Sequence, residues 1–195
     1  MIVTISRQAA TDGKLLAQMV AERLQYRVFD REVVDEIARR MDLHVSHVIP
    51  FDGTLPTPVE SLLHEWRHSI NQDVYYRHLR EVLRIIERQF PDIVILGRGG
   101  NFVLKGPDTL RVRVMAPVEW RVAKYIAGEK VSNKEAEKYI ADEDRRRASF
   151  TRYMFHRNID NPLHYDVCMN LEGLTYEMVA DIISHNVNYR QTVRR

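Results

Sequence analysis

The sequence predicts an α/β fold in which a parallel sheet carries helices on both faces. Three observations predict it. The β-branched run Ile2-Val3-Thr4-Ile5 passes through a polar turn into an apolar-periodic stretch, which is the order strand, loop, helix. Ile93-Val94-Ile95-Leu96 is continuously apolar, as a central parallel strand is when both its faces are covered. Strand and helix patterns then alternate towards the end of the chain, and that alternation needs crossovers and so a parallel order.

The elements follow in sequence. Leu16, Met19, Val20 and Leu24 recur at helical spacing behind Gly13-Lys14. Tyr26-Arg27-Val28-Phe29 reads as a second short strand, and Asp30 precedes the helical pattern Val33, Val34, Ile37, Ala38 and Met41. Pro50, Asp52-Gly53, Pro56 and Pro58 predict a loop over 42–58. Leu62, Leu63, Trp66, Ile70 and Val74, then Leu79, Val82, Leu83 and Ile86, predict a long helical region that breaks near 71–73. The apolar strand after Pro91 stops at Gly97-Arg98-Gly99-Gly100. Arg111 and Arg113 alternate with Val112 and Val114, predicting a strand with one wetter face, and Pro117 opens the next helix. Ser132 and Glu135 have the spacing of a capping box for a charged helix running towards Arg152. Val167-Cys168-Met169 reads as the last strand. Thr175 caps a final helix carrying Val179, Ile182 and Ile183, and residues 189–195 are expected to fray.

Bulk composition bounds the function. With 195 residues, 45% hydrophobic and 29% charged, the chain can bury one good core, and 1–195 is read as a single domain. A net charge of +2 is too small to argue for a nucleic-acid partner. The apolar runs are far shorter than a membrane span and no charged-then-apolar leader precedes the first strand, so the expectation is a cytoplasmic protein with no membrane partner. Cys168 is the one cysteine, which excludes an internal disulfide. It is expected as a buried core thiol rather than a nucleophile, because no local feature would depress its pKa.

In such a sheet, ligands bind outside the carboxyl ends of the strands, so the loops after residues 5, 96 and 115 should converge on one rim. Gly13 and Lys14 suit a phosphate site there. Glycine lets the backbone come close, the helix start supplies N–H groups, and lysine adds a mobile charge. The alternative is an eased turn and a solvated lysine. Ser6, Arg7 and Thr11 share this loop and each can donate to phosphate, although Thr11 and Asp12 equally suit helix capping. Against G-x-x-x-x-G-K-[ST], Gln8 stands at the first glycine and Leu15 at the metal-binding hydroxyl. Asp12 would repel a phosphate, so it is expected to face outward or to help hold a metal.

Arg98, between glycines at the end of a buried strand, delivers a planar guanidinium to the rim for bidentate phosphate contact. A salt bridge to Asp30 or Glu32 is the structural alternative. Asp30 suits a magnesium-bound water or a substrate hydroxyl, or only a helix N-cap. Asp144-Arg145-Arg146-Arg147, with Arg152 and Arg157 beyond, is the densest basic patch. Charges that close over a migrating phosphoryl group would use it; a solvated helix paired with Glu143 and Asp144 would also explain it. Phe150, Tyr153 and Phe155 fall on helical spacing rather than on a strand-borne stacking platform, which argues against nucleic acid. Asp166 precedes an apolar strand, where it fits base recognition or structure. His64-Glu65-Trp66-Arg67-His68 matches the zincin string, but no third ligand is evident and the helix lies apart from the rim.

Four strings carry a resemblance: Thr4-Ile5-Ser6-Arg7-Gln8, Phe29-Asp30-Arg31-Glu32, Leu96-Gly97-Arg98-Gly99-Gly100-Asn101-Phe102-Val103-Leu104 and Ala116-Pro117-Val118-Glu119-Trp120-Arg121-Val122. Asp144-Arg145-Arg146-Arg147-Ala148 and Tyr165-Asp166-Val167 reinforce it. Together they resemble the cytidylate-kinase-like branch of the P-loop nucleoside monophosphate kinases over most of the chain. The resemblance implies a three-layer P-loop kinase-like fold, with a helical acceptor-binding region within 42–90 and a helical, arginine-rich lid within 128–160. It implies transfer of a phosphoryl group from magnesium-ATP to CMP or dCMP. Gly13 and Lys14 match the end of the phosphate loop, beside Ser6 and Thr11. Asp30 matches an acidic residue by the monophosphate site, and Arg98 an arginine that grips the acceptor phosphate. Arg121 falls in the helix leading to the lid, Arg145 and Arg147 match lid arginines that embrace the transferred group, and Asp166 lies near the sugar and base.

The departures are local. Ala10-Thr11-Asp12-Gly13 stands where the branch has a Gly-Ser-Gly-Gly-like loop, Leu15 offers no hydroxyl, and Leu96 replaces an aspartate before the Gly-Arg pair. The metal ligands are therefore unassigned. A nucleotide- or phosphate-binding regulatory protein without catalysis is the competing reading. A third is an interaction protein that forms a homodimer through the Trp66 helix.

Overall fold

β1 (Ile2–Arg7) is the strand around which the sheet is ordered. A computed structural model describes residues 1–42, 44 and 72–193. After β1 come α1 (Gly13–Leu24), β2 (Arg27–Phe29), α2 (Arg31–Arg40), α3 (Gln72–Gln89), β3 (Ile93–Leu96) and the single turn α4 (Gly100–Val103). β4 (Thr109–Met115), α5 (Val118–Glu129), α6 (Asn133–Phe155), a 3₁₀ turn (Pro162–His164), β5 (Val167–Asn170) and α7 (Tyr176–Val193) complete the described chain. The sheet runs β2-β3-β1-β4-β5 and every pairing is parallel. Because β1 has β3 on one side and β4 on the other, the crossovers leave it in opposite directions. They open a crevice at the carboxyl ends of the strands, where α/β proteins bind ligands.

The two faces follow from the period of two along each strand. Val3, Ile5, Val94, Leu96, Val112 and Val114 point to one side and pack with Leu16 and Val20 of α1 and Val179 and Ile183 of α7. Ile2, Ile93 and Ile95 point to the other and meet Val33 and Ile37 of α2 and Leu79 and Leu83 of α3. Each fully buried aliphatic side chain here stabilises by about 1.5–3 kcal/mol. The parallel sheet with helices on both faces is thus as the hydrophobic pattern predicts, and the long apolar run Ile93–Leu96 is buried throughout.

Other expectations need correction. The arginine face of β4 is the wetter of its two, with Arg111 and Met115 partly exposed, but Arg113 on it is only 3% exposed, donating to Ser6 Oγ at 2.8 Å and to Asp160 Oδ1 at 2.9 Å. The segment after α6 covers Arg113 there and Asp160 pairs its charge, while its Nε is buried with no hydrogen-bond partner among the described residues. Cys168 is exposed rather than a core thiol, because β5 is the sheet edge and one of its faces is uncovered. Residues 189–193 do not fray but continue α7, where Gln191 donates to Tyr26 Oη at 2.9 Å. Asp30 makes no side-chain cap on α2. The capping box at Ser132 and Glu135 is present in full and starts a 23-residue helix. Thr175 Oγ1 likewise accepts from Met178 N at the start of α7. The helical pattern through Trp66, including His64 and His68, lies outside the described residues, as do the predicted loop over 42–58 apart from residues 42 and 44, and most of the first half of the 42–90 region. Among the described residues no helix is long and apolar enough to cross a membrane.

Candidate functional site

The loop between β1 and α1 is held from below and from above. Gln8 N donates to Val114 O at 3.1 Å, its side chain accepts from Ala116 N at 3.0 Å, and Thr11 Oγ1 donates back to Gln8 O at 2.8 Å. Thr11 is therefore a buried loop clamp. Ala10 and Asp12 both take left-handed conformations, with φ of 57° and 43°. These positions match glycines in the Gly-Ser-Gly-Gly-like pattern, and holding them left-handed without glycine costs about 1 kcal/mol or more each. Asp12 is exposed and faces Tyr176 Oη at 3.2 Å and Lys124 Nζ at 3.7 Å. It makes no side-chain cap on α1, which leaves the first-turn N–H groups available to an anion. Lys14 and Leu15 are both exposed on that turn.

Arg7 lies at the centre of the rim. Its stem packs so closely on Gly13, and its guanidinium on Gly97, that a side chain at either glycine would overlap it. Burial, then the nearby Arg147, pull its pKa down to about 9, which still leaves it charged near neutrality. Among the described residues no carboxylate or carbonyl lies within hydrogen-bonding distance of this guanidinium. It lines a cavity of about 50 Å³ with Ser6, Gly97, Arg98, Gly99, Asn101, Phe102, Arg147, Phe150, Thr151 and Ile159.

Two further arginines face the same space. Arg98 itself has φ 54° between Gly97 at 74° and Gly99 at 65°, a run of left-handed residues that turns its side chain back across the sheet edge. Its Nη2 lies 2.8 Å from Asp30 Oδ1 and its Nε donates to Asp30 O at 3.3 Å. Burial lowers the Arg98 pKa and Asp30 opposes that shift. Arg147, from α6, donates to Arg7 O at 3.2 Å and to Glu143 at 3.3 Å. Phe155 stacks on Phe102 at 4.9 Å and fills the space left by Gly99, closing one wall.

α6 is docked on the loop. Asp144 Oδ1 accepts from Ala9 N at 2.8 Å, and its Oδ2 lies 2.6 Å from Arg121 Nη1. Arg121 is buried and also donates to Ala116 O and Ala9 O. Arg145 points away, 76% exposed and 3.5 Å from Asp142. Arg146 turns inward to Glu143 at 2.7 Å, and its Nε and Nη1 are buried with no hydrogen-bond partner among the described residues.

The sequence candidates thus divide. Ser6, Arg98 and Arg147 line one cavity, Asp30 abuts it through Arg98, and Gly13 supports Arg7 from below. Thr11, Lys14, Arg121 and Arg145 do not line it. Asp166 sits at the amino end of β5, bound to Arg111 by hydrogen bonds of 2.7, 2.8 and 3.3 Å and 3.7 Å from Arg190. Sequence reasoning gave Arg7 no more weight than its loop neighbours, and overlooked Asn101, Thr151 and the acceptor role of Asp144 towards Ala9. Only the Gly-Arg-Gly-Gly turn just before Asn101 could have signalled it. Among the described residues no three His, Cys, Asp or Glu side chains are grouped to hold a metal ion. The donors at the rim are cationic or neutral, which fits phosphate and does not fit a protein-ligated metal.

A model of the cytidylate kinase-like family matches residues 2–173. An uncharacterised protein from Eubacterium ventriosum superposes with a TM-score of 0.73 at 16% identity, over 97% of this chain and 98% of that one. Shikimate kinase from Bacteroides thetaiotaomicron superposes at 0.54, with 12% identity over 96% and 98% of the two chains. Shikimate kinase from Acinetobacter baumannii, in complex with shikimate, does so at 0.51, with 12% identity over 96% and 93%. At these identities the likeness is one of fold. A curated relative, uronate isomerase of Corynebacterium glutamicum, is 33% identical over 92 residues, 46% of this chain. The match spans 18% of that relative's length.

Proposed function

The chain belongs to the cytidylate kinase-like family, and from that premise we propose that it is a phosphotransferase moving the γ-phosphoryl group of ATP to CMP or dCMP. The observation that carries this reading is the cavity at the sheet rim lined by Arg7, Arg98 and Arg147, with burial and the nearby Arg147 pulling the Arg7 pKa down despite Asp30 and Glu143. Its volume of about 50 Å³ suits a phosphate group rather than a whole nucleotide. The acceptor phosphate would sit there, with its sugar and base reaching outward.

Phosphoryl transfer asks little covalent chemistry of a protein and much positioning and charge neutralisation. Arg98, steadied by Asp30, would orient the acceptor. Arg147 would bridge acceptor and donor sides from α6. The uncapped first turn of α1, with Lys14, would meet the phosphates of ATP. Arg145 points outward, so an active role for it would need α6 to move. ATP would carry Mg2+ on its own phosphates, since among the described residues no carboxylate cluster is grouped to hold it. The same reading places the protein in the cytoplasm, where these nucleotides are.

A second reading, a phosphate- or nucleotide-binding regulatory protein of this fold, draws on the loop. Ala10 and Asp12 replace glycines, Leu15 replaces a hydroxyl, and Asp144 already occupies the Ala9 N–H. The deciding experiment is transfer from magnesium-ATP across a panel of nucleoside monophosphates. Formation of CDP or dCDP that is lost in Arg147→Ala supports the kinase. A folded protein that binds CMP and yields no product across the panel supports the regulatory reading.

A further inference from the structure

We propose that Asn101 is a further acceptor-binding residue, its side-chain amide donating to an oxygen of the phosphate held by Arg7, Arg98 and Arg147. This rests on the anion-site reading above. Asn101 is the second residue of α4, directly after Gly97-Arg98-Gly99-Gly100, and is 4% exposed. Its Nδ2 is buried with no hydrogen-bond partner among the described residues, and the residue lines the arginine cavity.

Buried amides in folded proteins are nearly always paired, because leaving a donor dry forfeits its hydration without return. An orphaned donor on the wall of a cavity therefore points to an acceptor atom that arrives from outside. Three neighbouring guanidinium groups give that acceptor its charge: it is anionic. An amide is a fitting fourth donor. It adds a hydrogen bond without a further positive charge, in a place where each cation already disfavours the next.

The geometry separates a binding role from a structural one. A structural asparagine loses a hydrogen bond when its amide is removed, whereas this Nδ2 has none to lose in the empty protein. Asn101→Ala removes the donor. Asn101→Asp keeps the shape but replaces the donor with a carboxylate, which would itself neutralise Arg7 and repel an incoming phosphate.

The test is calorimetric binding of inorganic phosphate and of CMP to the full chain and both variants, alongside their melting temperatures without ligand. The expected result for Asn101→Ala is affinity weaker by about tenfold to a hundredfold with an unchanged melting temperature. For Asn101→Asp it is a higher melting temperature and no measurable binding. Equal binding by wild type and Asn101→Ala would overturn the assignment while leaving the arginine site standing. So would a melting temperature for Asn101→Asp below that of wild type with binding intact. Wild-type protein that binds neither ligand would overturn the anion site itself, and this assignment with it.

Discussion

The main-chain N–H of Ala9 donates a 2.8 Å hydrogen bond to Asp144, 135 residues away in the chain. The phosphate-loop side of the protein is thereby joined to α6, the helix expected as a lid. The other oxygen of the same carboxylate holds Arg121 at 2.6 Å, so one side chain ties loop, α5 and α6 together.

Asp144→Ala should therefore destabilise the protein by about 2–4 kcal/mol, since it leaves a buried arginine without its counter-ion and an amide without its acceptor. Urea denaturation measures it. A loss below about 0.5 kcal/mol, the range of ordinary surface substitutions, would show that the network is only incidental.

Ala10 holds φ at 57°, a conformation that glycine adopts without strain. Ala10→Gly should stabilise by about 0.5–1 kcal/mol, against the usual sign of an alanine-to-glycine change. Thermal melting is the readout, and a lower melting temperature would mean that the loop carries no such strain.

Arg7→Met keeps an apolar stem against Gly13 and removes the guanidinium. Burial and Arg147 lower the Arg7 pKa to about 9, so at neutral pH the folded state carries a charge that it disfavours. The variant should melt at the same temperature or higher, while phosphate affinity falls at least about tenfold. Unaltered phosphate binding would remove Arg7 from the site.

Lys14 is exposed on the first turn of α1, so Lys14→Ala should leave melting unchanged. If Lys14 meets the transferred phosphates, turnover should drop by about a hundredfold or more. Turnover within a factor of two of wild type would assign it to solvent.

Glu36 is held at a pKa of about 2, first by its hydrogen bond to Arg39, against burial, and then by Arg40. A depressed carboxylate stabilises the fold above its unfolded pKa of about 4.3, and that contribution is lost as pH falls towards 2. Glu36→Gln should flatten the decline in melting temperature between pH 4.5 and 2 relative to wild type. Parallel profiles would mean that the α2 ion pairs are screened by solvent.

Much of the fold was legible because hydrophobic periodicity is a local property. The apolar run Ile93–Leu96, the helical spacing behind Gly13 and the Ser132-Glu135 box each declare an element within a few residues. The burial of Arg113, on the wetter face of β4, was not legible for the opposite reason. Alternation marks two faces but not what covers them, and Tyr165 and Asp160, distant in sequence, cover the Arg113 position alone. Cys168 misled likewise, since its strand lies at the sheet edge and only the strand order reveals it.

By itself, the sequence determined the alternating elements, the parallel sheet, the rim where the loops after β1 and β3 must meet, and the family, through strings of residues kept close together. Tertiary structure alone decided which charges face one another. It brought Arg7, Arg98 and Arg147 around a single cavity, turned Arg145 to solvent, bound Asp166 to Arg111, and buried the Asn101 amide without a partner. The physical reason is range: backbone propensity and apolar period act over one or two turns, whereas burial and ion pairing depend on which distant segments the packed sheet brings within a few ångströms.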